Sequence, residues 1–290
     1  MRDFVIMTDS CCDLTAQLAE ELDVTVLPLS VLVGEETFRN YLDGREIGFH
    51  EFYDRIRGGA MPTTSAVSVG DFEDAMRSVL AAGKDLLFIG FSSGLSTTYQ
   101  SAVIAANGLK EEYPDANVYV VDSAAASLGQ GLLVYLCAQQ KKAGKSAEEV
   151  YAYAEDTKLK VCHWFTVDDL NHLKRGGRVS AATALVGTML LIKPVLHVDN
   201  EGHLISVSKA RGRKASLMAL VDQMEKTFLS CEEQTVFISH GDCEDDAKIV
   251  AAEIKKRFDI EVRLINYVGP VIGAHTGVGV VALFFLGKER

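Results

Sequence analysis

Residues 86–102, LLFIGFSSGLSTTYQSA, decide how this chain is built. Leu86, Leu87, Phe88 and Ile89 form an apolar run that stops at Gly90. The hydroxyls of Ser92 and Ser93 follow, then Gly94, and a face of Leu95, Tyr99, Ala102, Val103 and Ala106 predicts an amphipathic helix opening near Ser96. A strand that ends in a small polar loop and feeds a helix is the unit of a parallel, helix-covered sheet. Such a loop gathers hydroxyls, free backbone N–H groups and the positive end of a helix dipole, and anions bind there. The same letters spell G-x-S-x-G at Gly90, Ser92 and Gly94, the nucleophile elbow of serine hydrolases. The serines therefore either attack a carbonyl or hold a carboxylate.

Working outward, the first half repeats the pattern. Strands are expected at Phe4–Met7, Val24–Val33 and Val118–Val121, and helices at Thr15–Leu22, Asp71–Ala82 and Leu128–Gln140. A charged helical stretch, Ala147–Lys158, crosses into a second unit. That unit should carry strands near Cys162–Thr166, Val195–Val198, Leu204–Val207, Thr235–Ser239, Glu261–Ile265 and Val280–Phe285, and helices at Ser216–Leu229 and Asp245–Phe258. Asp199-Asn200-Glu201-Gly202 between apolar runs signals a hairpin, so the second half mixes antiparallel pairing with helices. The fold class expected is α/β in two domains, 1–155 with a mainly parallel sheet and 156–290 with a mixed sheet.

With 290 residues there is length for two such cores, and a net charge of −11 argues against nucleic acid as a partner. The cysteines at 11, 12, 137, 162, 231 and 243 form no C-x-x-C pair, which fits reduced thiols in the cytosol. The uncharged run from Leu264 to Gly287 is long enough to span a bilayer, but Asn266, Pro270, His275 and four glycines interrupt it. A glycine-rich loop leading into a short strand is the better reading. No stable membrane span is expected.

Polar side chains collect at four loops: Thr8-Asp9-Ser10, Thr63-Thr64-Ser65 with Ser68, Ser92-Ser93, and Asp122-Ser123. Such residues ordinarily cap helices, but four groups at equivalent strand ends point to a site, because ligands of open α/β sheets bind beyond the strands' carboxyl ends. The second half supplies cations at Lys174-Arg175-Gly176-Gly177-Arg178 and at Lys209, Arg211, Arg213 and Lys214. Most should be solvated, with Arg178 leaning toward a pocket. His275 lies among Gly269, Pro270, Gly273 and Gly277, small residues that leave an imidazole free to act.

Seven segments in order resemble the DegV family of bacterial proteins, the fatty-acid-binding subunits of fatty acid kinase. They are FVIMTDSCCDL, MPTTSAVSVGDF, FSSGLSTTYQSA, VDSAAASLGQGLL, DLNHLKRGGRVS, LIKPVLHVDNEGHL and GPVIGAHTGVGVVALFF, and they run the length of the chain. The resemblance implies two α/β domains with a lipid between them. It implies a long-chain fatty acid whose carboxylate is held by Thr64, Ser65, Ser93 with Ser92 beside it, and His275. Arg178, Arg211 and Arg213 would lie near the mouth, where the kinase's catalytic subunit phosphorylates the carboxylate. The chain itself would be a non-catalytic monomeric carrier in the cytoplasm, with no metal or cofactor besides the lipid. Departures from the family pattern fall at Ala66-Val67-Ser68, Thr97-Thr98 and Gly277-Val278-Gly279. The first of these touches the wall that sets chain-length preference.

The residue chemistry suits that ligand. Neutral hydroxyls orient a carboxylate without burying a counter-ion, and a protonated His275 would add charge to its hydrogen bond. Thr183–Ile192, Phe284 and Phe285 are candidates for the tail slot. A serine esterase is the alternative, with Ser92 as nucleophile, Asp199 or Asp242 as acid and His275 as base; no HGGG-type segment precedes Ser92 to support it. A nucleotide- or sugar-phosphate-binding protein is the third reading. Against it, there is no G-x-x-x-x-G-K-[ST], Gly129-Gln130-Gly131 lacks a third glycine, and Gly277-Val278-Gly279 with Ala282 runs into a strand.

Overall fold

The computed structural model describes residues 2–179, 191–231 and 234–290. The first sheet has the order β2-β1-β6-β7 and is parallel throughout: β1 (Phe4–Asp9), β2 (Val24–Leu27), β6 (Asp85–Gly90) and β7 (Val118–Asp122). Alternate residues of β1 serve opposite faces, as a period of two requires. Met7 packs with Phe72, Met76 and Phe88 beneath α3 (Val69–Ala81) and α4 (Thr98–Leu109). Ile6 packs with Leu87, Ile89 and the buried face of α5 (Leu128–Lys142). The expected helix-covered parallel sheet is therefore present.

The stretch expected as one strand from Val24 to Val33 is two. Pro28 lacks the N–H a ladder needs, and the chain breaks there. Beyond it, β3 (Ser30–Val33) joins β4 (Glu36–Arg39) and β5 (Thr63–Ser65) in a separate antiparallel sheet, order β4-β3-β5. Helices α1 (Ala16–Glu21) and α2 (Phe49–Arg57) flank these elements, and α2 buries Phe52, Tyr53 and Ile56 against β3.

After α6 (Ala147–Thr157), a six-stranded mixed sheet runs β10-β9-β8-β13-β11-β12. Its strands are β8 (Val161–Thr166), β9 (Ile192–Val198), β10 (Leu204–Arg211), β11 (Phe237–His240), β12 (Leu264–Tyr267) and β13 (Val281–Leu286). Among the described residues of this sheet, only β11 and β12 are parallel neighbours. The hairpin expected at Asp199–Gly202 joins β9 to β10, with Asp199 Oδ1 accepting from the N–H groups of Glu201 and His203. One face of this sheet packs α8 (Arg213–Thr227) and α9 (Glu244–Phe258); the other turns toward the first unit, where Phe165, Phe237 and Phe284 join the cluster containing Ile6 and α5. The largest apolar cluster thus spans both units.

Two short helices complete the second half. α7 (Leu170–Arg175) precedes Gly176, and α10 (Pro270–Thr276) occupies the segment expected to be a loop. Proline at the first helical position gives up an N–H that would be unpaired there anyway, and seven residues are too few to show a 3.6-residue apolar period. His275 is consequently fixed on a helix. Among the described residues no helix is long and apolar enough to cross a membrane, and all six cysteines are free.

A candidate carboxylate clamp over an apolar cavity

Between the two units lies a cavity of about 400 Å3, a volume that suits a small organic ligand. Its walls are apolar and come from both halves: Phe91 and Leu95 from the first unit, Phe165, Val198, Leu204 and Phe284 from the second. Thr64, Ser65, Ser93, Arg178 and His275 line the same cavity, so five of the seven residues expected at the site converge on it.

Each arrives for a local reason. Thr64 and Ser65 sit on β5, opposite Val31 and Ser30 of β3. α10 packs against this small sheet and against α2, where a Cβ on Gly273 would come within 2.7 Å of Tyr53 Oη. That approach brings His275 Nε2 to 2.9 Å from Thr64 Oγ1. Arg178 follows the two glycines after α7; its Nε donates to the Leu95 carbonyl at 3.2 Å and its Nη1 donates to the Gly176 carbonyl. No carboxylate among the described residues pairs with this guanidinium. Ser93 is exposed, its N–H donating to Asp122 Oδ1 at 3.2 Å.

Burial, reinforced by the positive Arg178, lowers the His275 pKa to about 4. The imidazole is therefore neutral at pH 7 in the unliganded protein; the expected protonated His275 belongs to the complex with a carboxylate. It is a hydrogen-bonding group in a site whose positive charge resides on Arg178.

The remaining two candidates lie elsewhere. Ser92 is fully buried and does not line the cavity; its hydroxyl donates to the Gly202 carbonyl at 2.9 Å, a bond between the two units. The approach is so close that a Cβ on Gly202, whose φ is +79°, would fall 2.0 Å from Ser92 Oγ. Arg211 ends β10, exposed and opposite Ile192, outside the cavity lining. Arg213 is engaged with Asp246 at 2.8 Å and Asp168 at 3.6 Å. Of the tail candidates, Phe284 faces the cavity and Phe285 packs on the opposite face of the sheet. Thr183 to Leu190 lies outside the described residues.

The esterase constellation does not assemble. Ser92 Oγ is committed to a carbonyl, Asp199 caps its own hairpin, and Asp242 pairs with His50, Arg57 and Tyr267. Neither acid hydrogen-bonds His275. The Asp242 group also explains the one set of side chains with metal-ligand spacing among the described residues, His50, Asp54 and Asp242. Arg57 bridges its two carboxylates at 2.7 and 2.6 Å and supplies their counter-charge.

Two of the four polar loops are scaffold. Thr8 Oγ1 and Ser123 Oγ donate to the carbonyls of Ile89 and Gly90, at 2.7 and 2.6 Å, and Ser10 Oγ accepts from Leu29 N–H. Sequence reading missed Ser127 and His163 in the cavity wall. His163 is buried, its Nδ1 2.9 Å from the Val161 carbonyl, and burial drives its pKa well below the ordinary value.

Comparison with known proteins gives this geometry its relatives. The family model described as an uncharacterised protein of the DegV family matches residues 3–288. The chain belongs to the DegV family. A DegV domain-containing protein of Clostridium perfringens is 46% identical over 290 residues, covering 100% of this chain and 99% of its own. A DegV family protein of Thermus thermophilus, described by its fatty acid binding, has a TM-score of 0.86 at 32% identity and covers 99% of this chain and 100% of its own. A DegV lipid-binding protein of Thermotoga maritima matches with a TM-score of 0.86 at 30% identity, over 99% of both chains. The DegV fold of two α/β units is shared end to end.

Proposed function

We propose that this DegV protein binds one long-chain fatty acid, with its tail in the cavity between the units, and presents the carboxylate to the catalytic subunit of a fatty acid kinase for acyl-phosphate formation. The observation that carries the reading is the composition of that cavity: apolar walls lined also by Thr64, Ser65, Ser93 and His275, and by the guanidinium of Arg178, which no carboxylate among the described residues pairs. We take the division between the units at residues 155 and 156. The lipid and fatty acid binding of the Thermotoga and Thermus relatives supports the same ligand class. The kinase step rests on the family resemblance.

The energetics fit a ligand held by its tail and oriented by its head. About fifteen buried methylenes at roughly 0.8 kcal/mol each supply on the order of 12 kcal/mol gross, part of which offsets lost ligand freedom. A few hydroxyl donors then suffice to set the position of the carboxylate. Denaturing the purified protein and running mass spectrometry on the organic extract tests the ligand. A stoichiometric long-chain fatty acid is expected. No lipid in the extract and no uptake of added oleate or palmitate would refute the binding. Failure of the loaded protein to yield acyl-phosphate with a fatty acid kinase and ATP would refute the presenting role.

A further inference from the structure

Two buried carboxylates lie beneath the clamp, and neither lines the cavity. Asp9 and Asp13 are 0% and 3% exposed, and among the described residues neither pairs with a lysine or arginine. Asp9 Oδ2 accepts from Phe91 N–H at 2.8 Å and from Gln130 Nε2 at 3.1 Å, while Oδ1 accepts from Cys11 N–H at 3.0 Å. Phe91 lies two residues before Ser93. Asp13 Oδ1 accepts from Gly269 N–H at 3.0 Å, the residue that caps the N-terminus of the His275 helix. Asp13 Oδ2 accepts from Ser127 Oγ at 2.6 Å, and Ser127 is itself a wall residue.

The surrounding residues are shaped for these contacts. A Cβ on Gly269 would lie 2.8 Å from Asp13 Oδ1, so glycine alone admits the approach. Asp13 and Ser127 adopt positive φ, 50° and 54°, conformations uncommon for residues other than glycine. Asn266 Nδ2 donates to the Asp13 carbonyl at 2.8 Å and fixes the same junction from β12. An uncompensated buried charge is costly, so a chain that keeps two so close together obtains something specific from them. Hydrogen bonds to a carboxylate are about twice as strong as neutral ones, and here each carboxylate spends one on a backbone N–H that leads to one half of the clamp, Phe91 for Asp9 and Gly269 for Asp13.

We infer that Asp9 and Asp13 are positioning residues for the carboxylate clamp, Asp9 setting the Ser93 loop and Asp13 setting the His275 helix with Ser127. The inference rests on the fatty-acid reading above and adds to it the groups that hold the head site in register from behind. Phe91 and Ser127 are themselves cavity wall, so the positioning role is told from wall support by a ligand that has the tail and lacks the anionic head.

The test compares oleate with methyl oleate, which has the same tail and no anionic head, in wild type, D9N and D13N at about pH 8.5, above the raised pKa values of about 6 for Asp9 and about 7 for Asp13. Asparagine keeps the shape and one accepting oxygen, and loses the charge. Turning one charge-assisted bond into a neutral one of about half its strength should weaken oleate about fivefold and leave methyl oleate within twofold. In double variants, D13N with H275A should fall short of the product of the single effects, as should D9N with S93A, while the crossed pairs multiply. Equal weakening of both ligands would reduce the carboxylates to general packing and overturn the assignment, as would unchanged oleate binding in whichever variants fold. Wild-type protein that takes up neither ligand would instead overturn the binding reading itself.

Discussion

The sharpest perturbation of the clamp is a single methyl group placed outside it. Gly176 follows α7 with φ −67° and ψ −11°, a conformation alanine adopts freely. Yet a Cβ there would lie 2.2 Å from His275 Nδ1, far inside any allowed contact. The imidazole ends a rotatable side chain, so Gly176→Ala should displace the ring and leave the backbone in place. The 2.9 Å contact with Thr64 then breaks. One net hydrogen bond is worth about 1 kcal/mol, so oleate affinity should fall about fivefold, and G176A should add little to H275A. Global stability should change by less than about 1 kcal/mol, since glycine to alanine in a compatible conformation restricts the unfolded chain favourably.

Proton NMR of the His275 ring supplies a second readout. In the native site, burial and Arg178 hold its pKa at about 4. Freed from both, it should titrate nearer the ordinary histidine value of about 6.5. For a histidine kept neutral by the fold, the stability contribution is present above the unfolded pKa and is lost as pH falls toward the folded one. G176A should therefore flatten the wild-type loss of stability between about pH 6.5 and 4. Oleate affinity within twofold of wild type, with His275 still titrating near 4, would refute the reasoning.

The two serines should separate cleanly. Ser92→Ala leaves the Gly202 carbonyl unpaired and should cost about 1–3 kcal/mol of stability with little change in oleate affinity, whereas Ser93→Ala should do the reverse; denaturant melts and oleate titration of both variants decide it. Ala282 lines the cavity, and Ala282→Leu adds three carbons that displace about three methylenes of ligand, roughly 2.4 kcal/mol at the tail. A chain-length series should then show eighteen-carbon acids weakened and twelve-carbon acids spared; uniform weakening would place the tail elsewhere. Burial pushes the Asp13 pKa up to about 7 from 3.8, aided by the charge of Asp9. The folded chain thus binds that proton more tightly than the unfolded chain, and its stabilising effect is lost as pH rises through 7. Asp13→Asn should gain on wild type between pH 5 and 8 in urea melts, and a constant gap would contradict this.

The sequence makes the strand–loop–helix units legible because their apolar periods are long: β6, α3 and α9 fall where spacing places them. It reads less well where one residue outweighs a pattern. Pro28 divides an apolar stretch between two sheets, and the seven-residue α10 has too few turns to announce itself. At the site, composition located hydroxyl-rich strand ends but could not give side-chain direction. Adjacent serines on the same loop therefore take opposite tasks, Ser92 bonded to a carbonyl 110 residues away and Ser93 facing solvent at the cavity. Asp9 and Asp13 read as part of a polar loop; only the tertiary structure shows whose N–H groups they hold.

β13 has a consequence for how the molecule is made. It lies in the middle of its sheet, between β8 and β11, yet follows every other strand in the chain. Until it inserts, β8 and β11 present two unpaired ladders, the kind of edge that recruits other chains. The pairing of Val161 with Leu286 closes a loop of more than a hundred residues, which makes it slow. Ala282 and Phe284 on the inserting strand are also cavity wall. Aggregation during refolding should therefore compete mainly with this insertion step, and an amphiphile able to dock on those residues would act as a folding template as well as cargo.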